Sequence, residues 1–419
     1  MAHETWYRMD NVAKVFLASA NDRDTRSFRI TCTLNEDIEE DILSAAVKNA
    51  AKERPQYQVT ILRGLFWHYM EPTDDEPVVT VENERPCPML IDQKTFGKLH
   101  YHVTYFYNRI NLDFFHAIAD GNGAIDFFNL IVYHYLKLKY PDKIPDIPMT
   151  SGASEAALSQ DSFSHYYSKR NKSVKKKKFR TAYHIKGQKL PYNQLRFMEV
   201  HMKVSDVLAK AKETHVPLTS YIAAKLMMSI YKDMPVLKRI QPVTISMPVN
   251  LRNYYPSNTS RNFFNSVMVS HLFKNSDTLE SVAEQFNSDL KYELTPEMVE
   301  ARMYDYEKLE KILFIRLAPL FLKNPVVKGV TNSQAKKVSA VISNLGILKV
   351  PEELSEYIVS YNAFCSTNSM FVVCLTYKDD LILGISSAYK STQVIKDFIQ
   401  SLSDEGIEIT LYSNEVIDG

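Results

Sequence analysis

Residues 111–123 read N-L-D-F-F-H-A-I-A-D-G-N-G, and this stretch carries the strongest structural and chemical signal in the chain. A strand-like apolar run ends at His116, Asp120 and Gly121 close a short turn, and a helix is predicted from near Ala124. A histidine at the junction of a buried strand and a loop can face a cavity while its backbone is held rigidly. Because the ordinary pKa of imidazole is about 6.5, such a histidine can act as a general base at neutral pH.

The composition of the whole chain is that of an ordinary globular protein. Its 419 residues are 45% hydrophobic and 24% charged, which excludes wholesale disorder. At roughly 100–200 residues per domain, this length predicts two or three domains. Fifty Lys and Arg residues against 49 Asp and Glu residues leave a formal charge of +1. The chain therefore has no global field to hold nucleic acid or an anionic membrane.

The cysteines and the apolar segments indicate where in the cell the protein is expected to lie. No two of the four cysteines have C-x-x-C spacing, which argues against a zinc site or a dense disulfide framework. Nothing from Met1 to Asp10 is typical of a secretory signal. The most apolar stretch, Ile312 to Leu322, is interrupted by Arg316 and Pro319 and is too short to span a bilayer. We therefore expect reduced thiols, a cytoplasmic location, and a buried or partner-facing helix in this stretch.

Two segments of the chain begin alike, which indicates two related halves. Residues 28–34 alternate like a half-buried strand and are followed by a predicted helix over 36–54. Residues 197–204 repeat the strand pattern, and Ser205 is predicted to cap the helix that follows. This repeated order of strand and helix predicts related folds in the two halves.

The composition shifts between these halves. Pro141 to Asp161 is rich in Pro, Ser and Ala, and residues 175–178 are four lysines, so we place the linker here. The lysine run fits either contact with an anionic ligand, such as a nucleotide phosphate, or a solvated loop, which we favour. The N-terminal half is then residues 1–185, and the C-terminal half is residues 186–419.

Further strands and helices are predicted in both halves. This mixture predicts an α/β protein with mixed rather than purely parallel sheets. The predicted strands of the N-terminal half lie at 58–62, 66–70, 78–81, 101–107 and 112–116. Those of the C-terminal half lie at 243–248, 264–273, 339–343, 369–377 and 381–386, with helices at 218–232, 278–290 and 394–403.

Three ordered motifs resemble one family. The pattern His-x-x-x-Asp-Gly from His116 to Gly121 resembles the motif of the CoA-dependent acyltransferase superfamily, which includes chloramphenicol acetyltransferase, alcohol acetyltransferases, polyketide-associated acyltransferases and condensation domains. The segment P-V-N-L-R, residues 248–252, is similar to the family's Pro-x-Asn-x-Arg segment. The segment S-N-L-G, residues 343–346, is similar to its late Asn-x-Gly segment. Many members carry a second histidine just before the catalytic one, where this chain has Phe115.

The resemblance implies a fold, a reaction and roles for individual residues. Each half would have a chloramphenicol acetyltransferase-like fold, a mixed sheet with flanking helices, and the active-site channel would lie between the halves. An acyl group would pass from a CoA thioester to an alcohol or amine by direct attack in a ternary complex, with His116 as general base. Asn344 and, less strongly, Ser343 would stabilise the oxyanion. Asp120 would pair with Arg252 as a structural strut that fixes the turn and joins the halves.

Other functions and sites remain open at this stage. One alternative is a condensation-type enzyme that takes its acyl group from a carrier protein; another is a non-catalytic member of the fold that binds a ligand or protein. Gly121 would allow a backbone angle or a close approach that a β-carbon forbids. His100 and His102 form only a weak metal pattern, and the polar loop over residues 252–262 reads either as the border of a ligand entrance or as ordinary surface. We expect a monomer with no metal and no permanently bound cofactor, acyl-CoA being a co-substrate.

Overall fold

Two large mixed sheets and one small sheet make up the architecture. The structure is a computed structural model that describes residues 6–91, 97–149, 152–167, 174, 177–192, 194–311 and 318–414. The small sheet is antiparallel and places β4 (His68–Pro72) between β1 (Tyr7–Arg8) and β3 (Val59–Arg63).

The first large sheet has five strands and carries His116 at the end of one of them. In spatial order these strands are β12 (Ile358–Cys365), β2 (Ser27–Leu34), β7 (Arg109–Phe115), β6 (Tyr101–Phe106) and β5 (Val79–Val81). Only the β5–β6 pair is parallel, so the sheet is mixed. The edge strand β12 comes from the distant C-terminal part of the chain.

The second large sheet has seven strands and is also mixed. In spatial order they are β10 (Phe264–His271), β9 (Val243–Asn250), β11 (Ala340–Ile347), β13 (Met370–Tyr377), β14 (Asp380–Ser387), β8 (Arg196–Lys203) and β15 (Thr410–Ser413). The strand β11 is parallel to both of its neighbours. It pairs with β9 only through Ala340 and Val341, so the two strands separate before Ser343.

Helices cover the sheets and connect their strands. The longest described helix is α3 (Gly121–Lys139), which follows β7 and has nineteen residues. The helices are α1 (Asn11–Ser19), α2 (Glu40–Glu53), α3, α4 (Glu155–Leu158), α5 (Ser162–Tyr166), α6 (Val204–Glu213), α7 (Leu218–Asp233), α8 (Leu279–Glu293), α9 (Pro296–Lys311), α10 (Leu320–Ala335), α11 (Glu352–Ser355) and α12 (Gln393–Ser403).

Each large sheet has its own hydrophobic core, and the two sheets also pack against each other. Phe127 and Ile131 of α3 are buried in the first core. Ile222 of α7 and Phe398 of α12 are buried in the second core. Val373 of β13 belongs to the first core although its strand lies in the second sheet. The second sheet therefore buries one face against its helices and part of the other face against the first sheet.

The mixed α/β class and both starting strand–helix units are confirmed, but several details were wrong or missed. Ser205 does not cap its helix; Lys203 precedes α6, and the Ser205 hydroxyl instead donates toward Asp206 and Asp379. The strand β12 and the helix α9 were not predicted; α10 begins at Leu320, inside the apolar stretch where a helix was expected, and continues well beyond it. Residues 312–317 of the apolar stretch lie outside the described residues, as do Lys175 and Lys176. The boundary between residues 185 and 186 stays a prediction.

Candidate functional site

His116 stands at the carboxyl end of β7 in an aromatic setting built from both large sheets. Its backbone N–H donates to the Arg26 carbonyl at 2.9 Å, which anchors the strand end. The imidazole centroid lies 4.5 Å from the ring of Phe16, 4.8 Å from that of Phe28 and 5.4 Å from that of Phe264. Phe264 begins β10 of the second sheet, so both halves of the fold contact this imidazole.

The side chain of Asn262 determines which nitrogen of His116 carries the proton. Its amide nitrogen donates to the His116 carbonyl at 2.9 Å, which leaves its amide oxygen 3.2 Å from His116 Nδ1. Because an amide oxygen only accepts, Nδ1 must donate and Nε2 keeps its lone pair. The backbone carbonyls of His116 and Ala119 also lie within hydrogen-bonding reach of the imidazole. In this tautomer the Nε2 lone pair is the proton acceptor that a general base requires.

Burial keeps this imidazole neutral. Desolvation lowers the pKa of His116 below its ordinary value, although the nearby charge of Asp120 opposes the shift. Behind Asn262 lies the buried carboxyl of Asp10, whose Oδ2 is 3.5 Å from the Asn262 amide nitrogen. Burial raises the pKa of Asp10 to about 6, against the opposing charge of Arg261. At neutral pH His116 is therefore ready to accept a proton.

Asp120 and Arg252 tie the two halves together beside the histidine. Asp120 caps α3 by accepting from the Gly123 N–H at 3.1 Å, and its Oδ2 accepts from Arg252 Nη1 at 2.7 Å. The same Oδ2 accepts from the Phe263 N–H at 2.9 Å. Arg252 is held in turn by the carbonyls of Thr259 and Arg261. The carboxylate therefore joins the start of α3 to the loop between β9 and β10 and does not contact the His116 ring as a relay partner.

The start of α3 packs too closely against the second half for larger residues. A β-carbon on Gly121 would lie 3.0 Å from Leu345 Cδ2 of β11. A β-carbon on Gly123 would lie only 2.1 Å from the Ser260 carbonyl oxygen, which cannot move away without shifting the backbone. Gly121, the glycine of the His-x-x-x-Asp-Gly motif, is therefore close only to a side chain, which can move. Gly123 is close to a backbone carbonyl, so a larger residue is tolerated less at Gly123 than at Gly121.

Ser343 and Asn344 lie on opposite faces of β11. Val341 pairs with Ser246, and Ser246 pairs with Met268, so these three side chains share one face of the second sheet. Ser343 lies two residues after Val341, and Phe264 lies four residues before Met268, so both are on that same face. This is the face that reaches His116 through the Phe264 ring.

Asn344 points to the opposite, helix-covered face of the sheet. It donates through Nδ2 to Thr219 Oγ1 at 2.7 Å, at the start of α7. Its Oδ1 accepts from the Gly346 N–H at 2.8 Å and closes a bulge in which Gly346 adopts φ +76°. The described contacts of Asn344 therefore serve the local backbone and α7.

Solved structures share this architecture over nearly the whole chain. Polyketide synthase associated protein 5 from Mycobacterium tuberculosis aligns with a TM-score of 0.61 at 15% identity, covering 96% of this chain and 98% of that one. Trichothecene 15-O-acetyltransferase from Fusarium sporotrichioides aligns with a TM-score of 0.62 at 12% identity, covering 95% and 94%. The first condensation domain of the calcium-dependent antibiotic synthetase aligns with a TM-score of 0.59 at 12% identity, covering 96% of each chain. This is the chloramphenicol acetyltransferase-like fold.

The fold is shared by CoA-dependent acyltransferases and condensation domains, and it does not by itself fix a reaction. An epimerization domain of tyrocidine synthetase B also has it, with a TM-score of 0.60 at 10% identity and coverage of 96% and 95%. No protein-family profile matches the sequence, and no curated protein matches it either. Among the described residues, no helix is long and apolar enough to cross a membrane. Function must therefore be argued from the site.

Other residues that the sequence singled out as possible ligands make ordinary structural contacts. His100 receives the Ile61 N–H at Nε2 and contacts the Leu90 carbonyl through Nδ1, so packing accounts for both nitrogens. Within the described ranges no group of acidic, histidine or cysteine side chains fits a metal ion. Lys177 pairs with Asp289 at 3.1 Å. All four cysteines are free.

Sequence reasoning missed the residues that hold His116 in place. Asn262, Asp10, Phe16 and Phe264 all come from segments far from the motif in sequence. The one available signal was the polar loop over residues 252–262, in which Asn262 is the last residue.

Proposed function

We propose that the protein transfers an acyl group from a CoA thioester to an alcohol, with His116 as the general base. The observation that carries this proposal is the fixed imidazole, whose Nδ1 is held by the amide oxygen of Asn262. Because Nδ1 carries the proton, Nε2 has the lone pair that can deprotonate a hydroxyl. The fold shared with trichothecene 15-O-acetyltransferase adds support for an O-acyl transfer.

The reaction proceeds within a ternary complex of protein, acyl-CoA and acceptor. His116 Nε2 takes the proton of the acceptor hydroxyl as its oxygen attacks the thioester carbonyl carbon. The carbonyl becomes a tetrahedral oxyanion, which collapses as the carbon–sulfur bond breaks. The leaving CoA thiolate takes the proton back from the imidazolium, so the histidine returns to its starting state. No serine or cysteine nucleophile and no metal enters these steps.

For the oxyanion donor we propose Ser343 ahead of Asn344. Ser343 shares the sheet face of Phe264, which contacts His116, whereas the Asn344 amide is engaged by Thr219 and Gly346. A well-placed donor is worth about 2.7–4 kcal/mol of transition-state stabilisation. A hundredfold or larger loss in Ser343→Ala, with a small effect in Asn344→Ala, supports this order.

For the donor we propose free acyl-CoA as co-substrate. The starter condensation domain of rhizomide synthetase, which has this fold with a TM-score of 0.60, has been solved in complex with C8-CoA. We propose accordingly a monomeric, cytoplasmic enzyme with no permanently bound cofactor. Amines could be acylated by the same chemistry, and the assay below therefore includes amines as well as alcohols.

The experiment is a thiol-release assay with donors and acceptors varied separately. Purified protein is incubated with acetyl-CoA and with longer acyl-CoA donors, alone and with a panel of alcohols and amines. Acceptor-dependent thiol release supports the proposal, and identification of the acylated product by mass spectrometry names the acceptor class. Release without acceptor that exceeds the rate of buffer alone indicates hydrolysis instead.

Two other functions are outcomes of the same experiment. A folded protein that ignores free acyl-CoA but uses acyl groups on a carrier protein is a condensation-type enzyme. This outcome is worth testing because condensation domains of the rhizomide and calcium-dependent antibiotic synthetases share the fold. A folded protein that uses neither donor is a non-catalytic binder, and His116→Ala then leaves its biological activity unchanged.

A further inference from the structure

The first three turns of the helix α10 expose several large apolar side chains, together with Lys328. Leu320 is buried, whereas Phe321, Leu322, Val326 and Val330 are exposed. An exposed apolar surface on an otherwise polar protein marks a contact site.

The tip of the β3–β4 hairpin extends this apolar surface. The Leu320 N–H donates to the Leu65 carbonyl at 2.9 Å, and Lys323 Nζ donates to the Phe66 carbonyl at 2.8 Å. Leu65 and Trp67 are themselves exposed. We refer to Leu65, Trp67, Phe321, Leu322, Val326 and Val330 as the apolar strip. A tryptophan beside aliphatic side chains is typical of surfaces that enter the membrane interface.

Every charged residue in the segment that contains α10 is a lysine. Residues 318–351 contain five lysines and no Asp or Glu, although the whole chain carries a net charge of only +1. Lys336 and Lys337 follow the last residue of α10, and Lys336 is exposed. Basic residues therefore lie on α10 and directly after it, at Lys323, Lys328, Lys336 and Lys337.

We propose that the apolar strip and the lysines beside it dock on the surface of an anionic lipid bilayer. Apolar side chains would enter the interface, and the lysines would lie against the anionic headgroups. The strip is also close to the site, because α10 packs against α1, whose Phe16 ring lies 4.5 Å from His116. Docking would bring the site next to lipid-borne substrates. The proposal requires no step of the acyl-transfer mechanism.

The test is co-sedimentation of the full chain with vesicles, without any activity readout. Native protein is mixed with vesicles of pure phosphatidylcholine and with vesicles that also contain phosphatidylglycerol. The account predicts binding to the anionic vesicles, and a roughly tenfold or greater loss in Phe321→Asp/Val326→Asp and in Lys336→Glu/Lys337→Glu. The matched control is Tyr107→Asp/Val78→Asp, since Val78 is 65% exposed and Val326 is 66% exposed. This control carries the same added charge at sites outside the strip.

Three results would overturn the proposal. One is a native protein that does not bind anionic vesicles, and another is undiminished binding by both the strip variant Phe321→Asp/Val326→Asp and the lysine variant Lys336→Glu/Lys337→Glu. A third is a native protein that is dimeric by light scattering and becomes monomeric in Phe321→Asp/Val326→Asp, since a second copy then covers the strip. Thermal unfolding of each variant verifies that it is folded. The lysine variant leaves the apolar side chains intact and therefore tests the electrostatic contribution to binding separately.

Discussion

The tautomer of His116 is set by Asn262, a residue outside the motif. Asn262 contacts both the imidazole and the carbonyl of the same residue, so the orientation of its amide fixes the Nδ1–H tautomer. Burial lowers the pKa of His116, which keeps Nε2 unprotonated near neutral pH. In the proposed reaction the rate should therefore rise with pH through a midpoint below the ordinary histidine value and then level off.

The first prediction separates positioning of His116 from simple support of the fold. Asn262→Ala removes the acceptor for Nδ1–H, and we expect kcat to fall about 2- to 10-fold, since a hydrogen bond contributes about 0.5–1.5 kcal/mol. Asn262→Asp keeps an acceptor and adds a negative charge that favours the imidazolium, so the midpoint should move to higher pH. The measurement is the pH profile of kcat in the three proteins. Equal midpoints in the native and aspartate enzymes would contradict this role.

Asp120 illustrates the difference between a catalytic and a structural carboxylate at the residue scale. Its two oxygens are used by the helix cap, Arg252 and the Phe263 N–H, so its removal leaves a guanidinium without its charge partner. We expect Asp120→Ala to lower the free energy of unfolding by about 3–5 kcal/mol.

Urea unfolding of Asp120→Ala provides the measurement. The control is Glu76→Ala, which removes one partner of the exposed Lys48–Glu76 pair and should leave the unfolding midpoint nearly unchanged, because water screens an exposed ion pair. Equal small losses in the two variants would show that the Asp120–Arg252 pair does not hold the halves together.

At the scale of elements, β12 explains both a success and a failure of sequence reasoning. The alternation in β2 and β8 was readable because each strand buries one face and starts a local strand–helix unit. The strand β12 was missed because its partner β2 lies more than three hundred residues away and because a buried asparagine, Asn362, interrupts its apolar side chains. The faces of Ser343 and Asn344 likewise depend on the register of β11 with its neighbours, which no local pattern reveals.

The contact between β12 and β14 yields a prediction about elements. A β-carbon on Gly384 would lie 1.9 Å from the Ala363 carbonyl oxygen, so the two sheets would have to separate. We expect Gly384→Ala to cost about 1–3 kcal/mol of unfolding free energy. The matched control is Gly329→Ala in α10, where a β-carbon meets nothing within 4 Å and alanine should stabilise by about 0.5–1 kcal/mol. Thermal unfolding distinguishes them, and a neutral Gly384→Ala would argue against close packing of the sheets here.

At the scale of the whole molecule, the halves share structure as well as a site. The motif, the two starting strand–helix units and the α/β class were all readable from the sequence. The crossing of β12 into the first sheet was not, because it depends on the closure of the entire chain. His116 also takes one aromatic neighbour, Phe264, from the second sheet. The site therefore requires both sheets to be assembled.

This sharing predicts how a fragment behaves. Residues 1–185 expressed alone lack β12, so β2 would become an unpaired edge beside an exposed core. We expect this fragment to aggregate or to unfold without a cooperative thermal transition, whereas the full chain unfolds cooperatively. Circular dichroism during heating makes the comparison. A soluble fragment with its own sharp transition would show that the N-terminal half folds independently of β12.

The most direct test of the central claim is acceptor-dependent release of CoA by the native protein and by His116→Ala, measured side by side. General base catalysis is worth about 10²- to 10⁴-fold, so the variant should lose at least a hundredfold while keeping its fold and its acyl-CoA binding. A folded His116→Ala that releases CoA at the native rate would contradict the account, because the chemistry would then rest on another residue.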